Sequence, residues 1–344
     1  MSTRCTAAGM RSQRTGWPNM ATTAPWPSWK PRRRTVGDTA IEWAEVVWNP
    51  TTGCDRVSPG CDHCYALTMA KRLKAMGQAK YQTDGDPRTS GPGFGLALHP
   101  ATLQQPLRWR KPRRIFVNSM SDLFHDKATD EYIASVFAVM AATPHHTYQL
   151  LTKRHARMRS LLSSPNWRGS VAGLVRTANP DQSLADFDAA TLEFVGEGLL
   201  RNVWVGISVE DQHWADIRIP ALLDTPAAVR WISAEPLLGP IDLGWVGGVD
   251  ALQRDWIGGP SGGSGAPHPL LDWVVAGGES GHGARPMNPD WMRSLRDQCQ
   301  AAGVAFFVKQ MGSRWESRWG RNHHDIEQFP EDLQVRQYPE AHCG

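Results

Sequence analysis

Seven stretches of this 344-residue chain are near-continuous apolar runs too short for helices: EWAEVVW (42–48), RIFVNSMSDLF (114–124), TYQLLTKR (147–154), VWVGISVED (203–211), RWISAEPLLG (230–239), DWVVAGGESG (272–281) and AFFVKQMG (305–312). Runs of this kind, rich in Val, Ile and aromatic residues, predict strands covered on both faces, as in a buried parallel sheet. Helical spacing lies between them, in DEYIASVFAVMAAT (130–143), DQHWADIRIPALLDT (211–225) and NPDWMRSLRDQCQAAG (288–303). The last is bracketed by Asn288 as an N-cap and Gly303 as a C-cap. The alternation predicts an α/β fold, a partial or complete (β/α) barrel of about six to seven parallel strands, with a doubly wound open sheet as the competing topology.

In a barrel of this type the side chains at the carboxyl ends of the strands face the active-site mouth. Here every apolar run ends in polar residues: Asn118, Ser119, Ser121 and Asp122; Thr152, Lys153 and Arg154; Ser208, Glu210 and Asp211; Glu235; Glu279 and Ser280; Lys309 and Gln310. Singly each reads as a turn or capping residue. Their recurrence at every strand end predicts a functional mouth.

Three of the six cysteines, Cys54, Cys61 and Cys64, sit on the loop after the first run, with six residues in the first gap and two in the second. Three soft thiolates on one loop suit a cubane iron–sulfur cluster whose fourth iron stays open to a small molecule. Gly53, Pro59 and Gly60 supply the turns that point three sulfurs to one place. Zinc is the rival, through His63 or a distant His282 or Cys299, although His63 and Cys64 are consecutive and would strain one tetrahedral site. Unligated cysteines are the bland alternative.

Together VVWNPTTGCDRVSPGCDHCYA, FVNSMSDLF, LLTKR, VWVGISVE, RWISAEPLLGPI, WVVAGGESG and FFVKQMG resemble the radical S-adenosylmethionine (SAM) superfamily, and more closely a phage-encoded branch with a three-cysteine motif, over roughly residues 41–340. The resemblance implies a barrel of the radical SAM type. It implies a [4Fe-4S] cluster on Cys54, Cys61 and Cys64, with the amino and carboxylate groups of SAM on its open iron. The superfamily's usual spacing is C-x3-C-x2-C, so the first gap here is longer. His63 takes the position beside the adenine. Asn118, Ser119, Ser121 and Asp122 stand where the superfamily holds the SAM amino group, while GGES at 277–280 follows a later strand and is not that motif. Ser208 and Glu210 resemble ribose-binding positions. Lys153, Glu235 and Glu279 are the candidate catalytic groups. The chemistry implied is one-electron cleavage of SAM and hydrogen abstraction from a substrate, in the isomerase, lyase or base-modifying style, such as radical isomerisation in thymidine hypermodification of phage DNA.

Charge and composition bear on partners and setting. Residues 1–40 hold Arg4, Arg11, Arg14, Lys30, Arg32, Arg33 and Arg34 against Asp38, in a chain of net charge +3. This basic arm is expected to be disordered, and Met20 within it is an alternative start. With RWRKPRR (108–114) it points to DNA or a nucleotide as substrate, each stretch reading equally as solvated surface. The barrel is expected over 41–312, with insertions near 155–200 and 252–270, the second holding GGPSGGSGAPHP (258–269). An extension at 313–344, carrying SRWESRWGRNHHDIEQFPEDL, packs on the barrel or covers the mouth. Scattered Cys5, Cys299 and Cys343 do not form a secreted disulfide framework, and no run of about 18 apolar residues spans a membrane. A cytoplasmic setting, the host's if the chain is phage-encoded, and a one-electron reductant follow as expectations. The competing function is a zinc-stabilised nucleic-acid-binding protein without redox chemistry. A SAM-dependent methyltransferase lacks its glycine-rich loop here, and an ordinary barrel hydrolase lacks a nucleophile with a paired base.

Overall fold

The computed structural model describes residues 39, 41–178, 200–252, 271–315 and 323–339. The arm, the 258–269 stretch, Cys5, Met20 and Cys343 lie outside them. The strands are β1 (Val46–Trp48), β2 (Thr51–Thr52), β3 (Ala97–Leu98), β4 (Arg114–Val117), β5 (Thr147–Thr152), β6 (Val203–Ser208), β7 (Val229–Ala234), β8 (Trp273–Gly277) and β9 (Ala305–Gln310). Seven of them form one sheet in the order β1-β4-β5-β6-β7-β8-β9, and every pairing is parallel. Among the described residues β1 and β9 do not pair, so the sheet is a half-barrel wrapped by helices. Every apolar run of the sequence became a strand. Each is shorter than its run: the six later strands end before the residues that close their runs, while EWAEVVW loses its amino-terminal part.

Alternation along each strand sorts residues between two cores. On the helix side, Ile115, Val117, Val205, Ile207, Ile232, Val274, Phe306 and Val308 pack against helices Asp130–Ala141, Gln212–Leu223 and Pro289–Ala302. On the concave side, Phe116, Trp204, Trp231, Trp273 and Phe307 gather around Trp43. Trp43 precedes β1 and turns inward, its ring centroid 4.5 Å from Phe116 and 5.2 Å from Trp231. This is why only the last residues of EWAEVVW are extended. Gly206 on β6 makes room for the Trp231 ring, which a Cβ there would meet at 2.3 Å.

Helix starts follow capping chemistry. Thr129, Asp211 and Asn288 each accept a backbone N–H of their helix, and Gly303 ends the last one in the left-handed region at φ 71°. Three of the longer helices stand where the sequence signalled none. Helix Tyr65–Ala75 follows the cysteine loop and buries Ala66 and Ala70; helices His155–Leu162 and Pro165–Ala178 form the described part of the 155–200 stretch. Pro165 opens its helix, where a missing N–H costs nothing.

Residues 323–339 run beside β9. The Val308 N–H donates to the Val335 carbonyl, the Gln337 N–H to Phe306 and the Met311 N–H to His323. The described part of the C-terminal extension thus covers a strand edge that would otherwise offer free backbone groups. His324 Nδ1 lies 2.7 Å from Glu42 Oε1, tying this segment to the chain ahead of β1. Among the described residues no helix is long and apolar enough to cross a membrane.

Candidate functional site at the strand ends

Read from amino to carboxyl end, the concave positions change character in steps of two residues. They run Trp204, Gly206, Ser208 on β6; Trp231, Ser233, Glu235 on β7; Trp273, Val275, Gly277 and then Glu279 on β8; and Phe307, Lys309 on β9. The polar ends surround a cavity of about 240 Å³. Its floor is Ile41, Trp43, Phe116 and Leu151, and Cys54, Cys61 and Cys64 stand on its rim. Of the residues singled out by sequence, His63, Asn118, Ser119, Ser121, Asp122, Lys153, Ser208, Glu235 and Glu279 also line it. Glu210 does not. It lies fully buried behind the wall, bound to groups that edge the cavity.

The cysteine loop is seated by close backbone packing. Gly53 takes φ 89°, and its Cα passes so near residue 95 that a Cβ would lie 2.1 Å from the Gly95 carbonyl oxygen. The Cys54 N–H then donates to the Phe94 carbonyl at 3.2 Å. Pro59–Cys61 forms a single 3-10 turn, and Cys64 precedes helix Tyr65–Ala75. All three thiols are free and half-buried. Burial pushes Cys54 up, with Asp122 adding to the rise and Arg154, its Nη1 3.7 Å from the sulfur, opposing it. Burial raises Cys64 as well. Such thiols keep their protons until a metal replaces them.

The remaining polar groups form three knots. Asp122 accepts from Thr152 Oγ1 at 2.7 Å and from the Lys153 and Phe124 N–H groups at 2.9 and 3.0 Å. Lys153 Nζ also pairs with Glu210, whose second oxygen accepts from the fully buried Arg218 at 3.0 Å. Glu235 accepts from Lys309 at 2.8 Å and from Gln310 at 2.6 Å. Glu279 accepts from Arg285 Nε at 2.9 Å and Nη2 at 2.5 Å and lies 3.0 Å from His63 Nδ1. Burial raises Glu279, but Arg285 and His63 outweigh it and hold the carboxyl at about 2.

Asn118 is a buried polar residue of the cavity lining with an unpartnered acceptor. It is the one described non-glycine residue with positive φ, at 67°. Its Nδ2 donates to Thr51 Oγ1 at 3.0 Å, while Oδ1 has no partner. Left-handed backbone at a non-glycine position is strained, and a buried acceptor without a donor costs about 1–3 kcal/mol. Both are features of a position shaped for a ligand that donates.

Among the described residues, Asp55, His125 and Asp126 form the one group of three whose ligand atoms lie within 4.8 Å of one another. That group is a turn: His125 Nδ1 accepts from the Lys127 N–H at 3.1 Å and its Nε2 faces Asp55 at 2.9 Å. Cys54, Cys61 and Cys64 do not form such a group, as three ligands about 2.3 Å from one zinc ion would. Cys299, the distant zinc ligand considered from sequence, lies in the helix-side core instead.

RWRKPRR falls at the other end of the molecule, since Arg114 opens β4. Arg114 stacks 4.3 Å from the Tyr338 ring and Arg113 lies 5.8 Å from Trp109. The basic stretch therefore does not border the cavity. Arg285 went unnoticed in the sequence, because it follows a glycine-rich turn and its partners are up to 226 residues away.

Fold and site together define an α/β half-barrel protein with a three-cysteine rim on a strand-end cavity. Residues 38–339 match a family described as "Protein of unknown function (DUF5131)", and the chain belongs to it. No curated protein matches. Solved structures of spore photoproduct lyase are similar at a distant level. A variant with dinucleoside spore photoproduct gives 14% identity and a TM-score of 0.39 over 84% of this chain and 70% of that one. Another complex with that dinucleoside gives 13% and 0.37 over 84% and 70%, and a variant with bound AdoMet and the dinucleoside gives 12% and 0.35 over 84% and 70%.

Proposed function

We infer that this protein is a radical SAM enzyme acting on a DNA base or a nucleotide. The observation that carries the reading is that Cys54, Cys61 and Cys64 share one cavity with the polar ends of a parallel half-barrel. Three thiolates on one loop suit three irons of a [4Fe-4S] cluster, leaving the fourth open. The unpartnered Asn118 Oδ1 suits the amino group of SAM, with Ser119, Ser121 and Asp122 beside it. Bound there, cluster and SAM supply one-electron cleavage of the sulfonium and hydrogen abstraction from the substrate.

The chain's own groups do the rest. Arg154 donates toward Cys54 Sγ and lends positive charge beside an anionic thiolate set. Ser208 on the wall is the candidate ribose contact, and Glu210 acts on the cavity through Lys153 and Ser58. The floor of Trp43, Phe116, Ile41 and Leu151 offers a planar apolar surface on which a base stacks, while Glu235 and Lys309 present an acceptor and a donor above it. Phosphate is not held at this mouth by RWRKPRR, which favours a single nucleotide or an extruded base over a duplex laid along that stretch. A one-electron reductant and a cytoplasmic setting belong to the same reading.

Anaerobic reconstitution followed by reduction tests it. Iron and sulfide at cluster stoichiometry, with SAM converted to 5′-deoxyadenosine, is the expected result. Stoichiometric zinc without cleavage identifies the zinc-stabilised nucleic-acid-binding protein instead.

A further inference from the structure

Two residues separate Cys61 from Cys64, so their own backbone fixes their relative placement; six separate Cys54 from Cys61, and a gap of that length has many closures. Ordering such a gap costs backbone entropy, so its geometry has to be imposed from outside it. The structure shows where. At the start of the loop Asp55 accepts from Thr89 Oγ1 at 2.6 Å and Ser90 Oγ at 2.8 Å. In its middle Ser58 donates to Glu210 at 2.6 Å, and Gly60 sits so close to Glu210 that a Cβ would meet its Cγ at 2.4 Å. From the opposite wall, Arg285 Nη2 donates to the Pro59 carbonyl at 2.9 Å and Nη1 lies 3.7 Å from Asp62 Oδ2. Glu279 lies 3.0 Å from His63 Nδ1.

These contacts reach Pro59, Asp62 and His63, the residues that flank Cys61 and Cys64. Glu279 and Arg285 are joined by a two-point ion pair, and the Arg285 N–H adds a bond to Glu279 Oε2 at 2.7 Å. We propose that Glu279 and Arg285 are positioning residues, a clasp thrown from the end of β8 onto the cysteine loop that fixes where Cys61 and Cys64 stand relative to Cys54. The inference rests on the cluster reading and deepens it. It gives Glu279 a task other than proton transfer, for which a carboxylate with both oxygens taken by a guanidinium is poorly placed. Against the effect of burial, Arg285 and His63 hold the Glu279 carboxyl at about 2, which keeps it ionised through the neutral range.

The experiment has two independent readouts on the full-length chain. The first is hydrogen exchange over residues 56–66 in metal-free protein, with amides of β6 as the internal control for global folding. The second is iron and sulfide per chain after anaerobic reconstitution, with the electron paramagnetic resonance line shape of the reduced cluster. Glu279→Gln and Arg285→Met are expected to accelerate exchange in 56–66 at least tenfold while β6 stays protected. They are also expected to halve iron per chain or worse and to alter the line shape. Arg285→Lys, which keeps charge but not the fork, is expected to recover part of each effect. Unchanged exchange together with an unchanged line shape in Glu279→Gln and Arg285→Met overturns the clasp. If β6 loses protection in these variants, the milder Arg285→Lys and His63→Gln decide: acceleration confined to 56–66 supports the clasp, and none overturns it. Should wild-type protein take up no iron, the cluster reading falls, and the exchange data judge the clasp by themselves.

Discussion

The two ends of the half-barrel are made from the same strands and could hardly differ more. At the foot, Trp204, Trp231, Trp273 and Phe307 interlock with Trp43 and with Tyr338, which stacks on Trp273 at 5.5 Å. At the mouth, two to six residues further along, the same faces carry Ser208, Ser233, Glu235, Glu279 and Lys309 around a cavity. One end spends its surface on aromatic packing and the other on ion pairs that leave space. Stability and chemistry are therefore separated along the strand axis, so substitutions at the two ends should fail in different ways.

The sharpest break in that contrast comes from the cysteines. Cys54→Ala, Cys61→Ala or Cys64→Ala is expected to abolish the cluster and SAM cleavage while leaving the melting temperature of metal-free protein unchanged, as iron analysis and calorimetry will show. Retention of cluster and cleavage in all three removes the ligand assignment. Trp273→Ala does the opposite. It empties a fully buried site and is expected to cost about 3–5 kcal/mol in denaturant unfolding, with iron binding per folded molecule retained.

A matched pair sharpens the comparison. Gly206→Ala drives a methyl into the buried Trp231 ring and is expected to lower stability by about 1–3 kcal/mol. Gly60→Ala, the same chemical change at the mouth, pushes on Glu210 and Lys153, and is expected to cost less stability but more iron on reconstitution.

Acid offers a gentler probe. Glu279 is depressed from 4.5 to about 2, so its contribution is fully present above about pH 4.5 and lost as pH falls toward 2. Loop exchange corrected for intrinsic rate should stay flat from pH 7 to 5 and rise below that in wild type, with the rise missing in Glu279→Gln. Smallest of all, Arg110→Gln with Lys111→Gln is expected to leave SAM cleavage in the presence of a mononucleotide unaltered, because these exposed residues lie beside the start of β4.

What the sequence disclosed follows the same division. The strands were legible because burial on both faces forces apolar residues at consecutive positions, and the mouth because polar residues had to end each run. The cap at Asn288 and the stop at Gly303 were local and therefore readable. The inward turn of Trp43 was not, since an aromatic residue beside β1 reads the same whether it extends a strand or wedges between strands. Helix Tyr65–Ala75 was hidden by its low apolar content, with Ala66 and Ala70 marking its inner face. Arg285 was invisible because an ion pair to a distant loop leaves no periodic trace. Glu210 was read as facing the ligand, whereas its strand-end place puts it behind the wall, paired with Arg218.

The wedge of Trp43 has one more consequence. With that indole and its neighbours filling the lower interior, the half-barrel is plugged at its foot among the described residues. On the reading proposed above, a ligand would come and go at the end where Cys54, Cys61 and Cys64 stand.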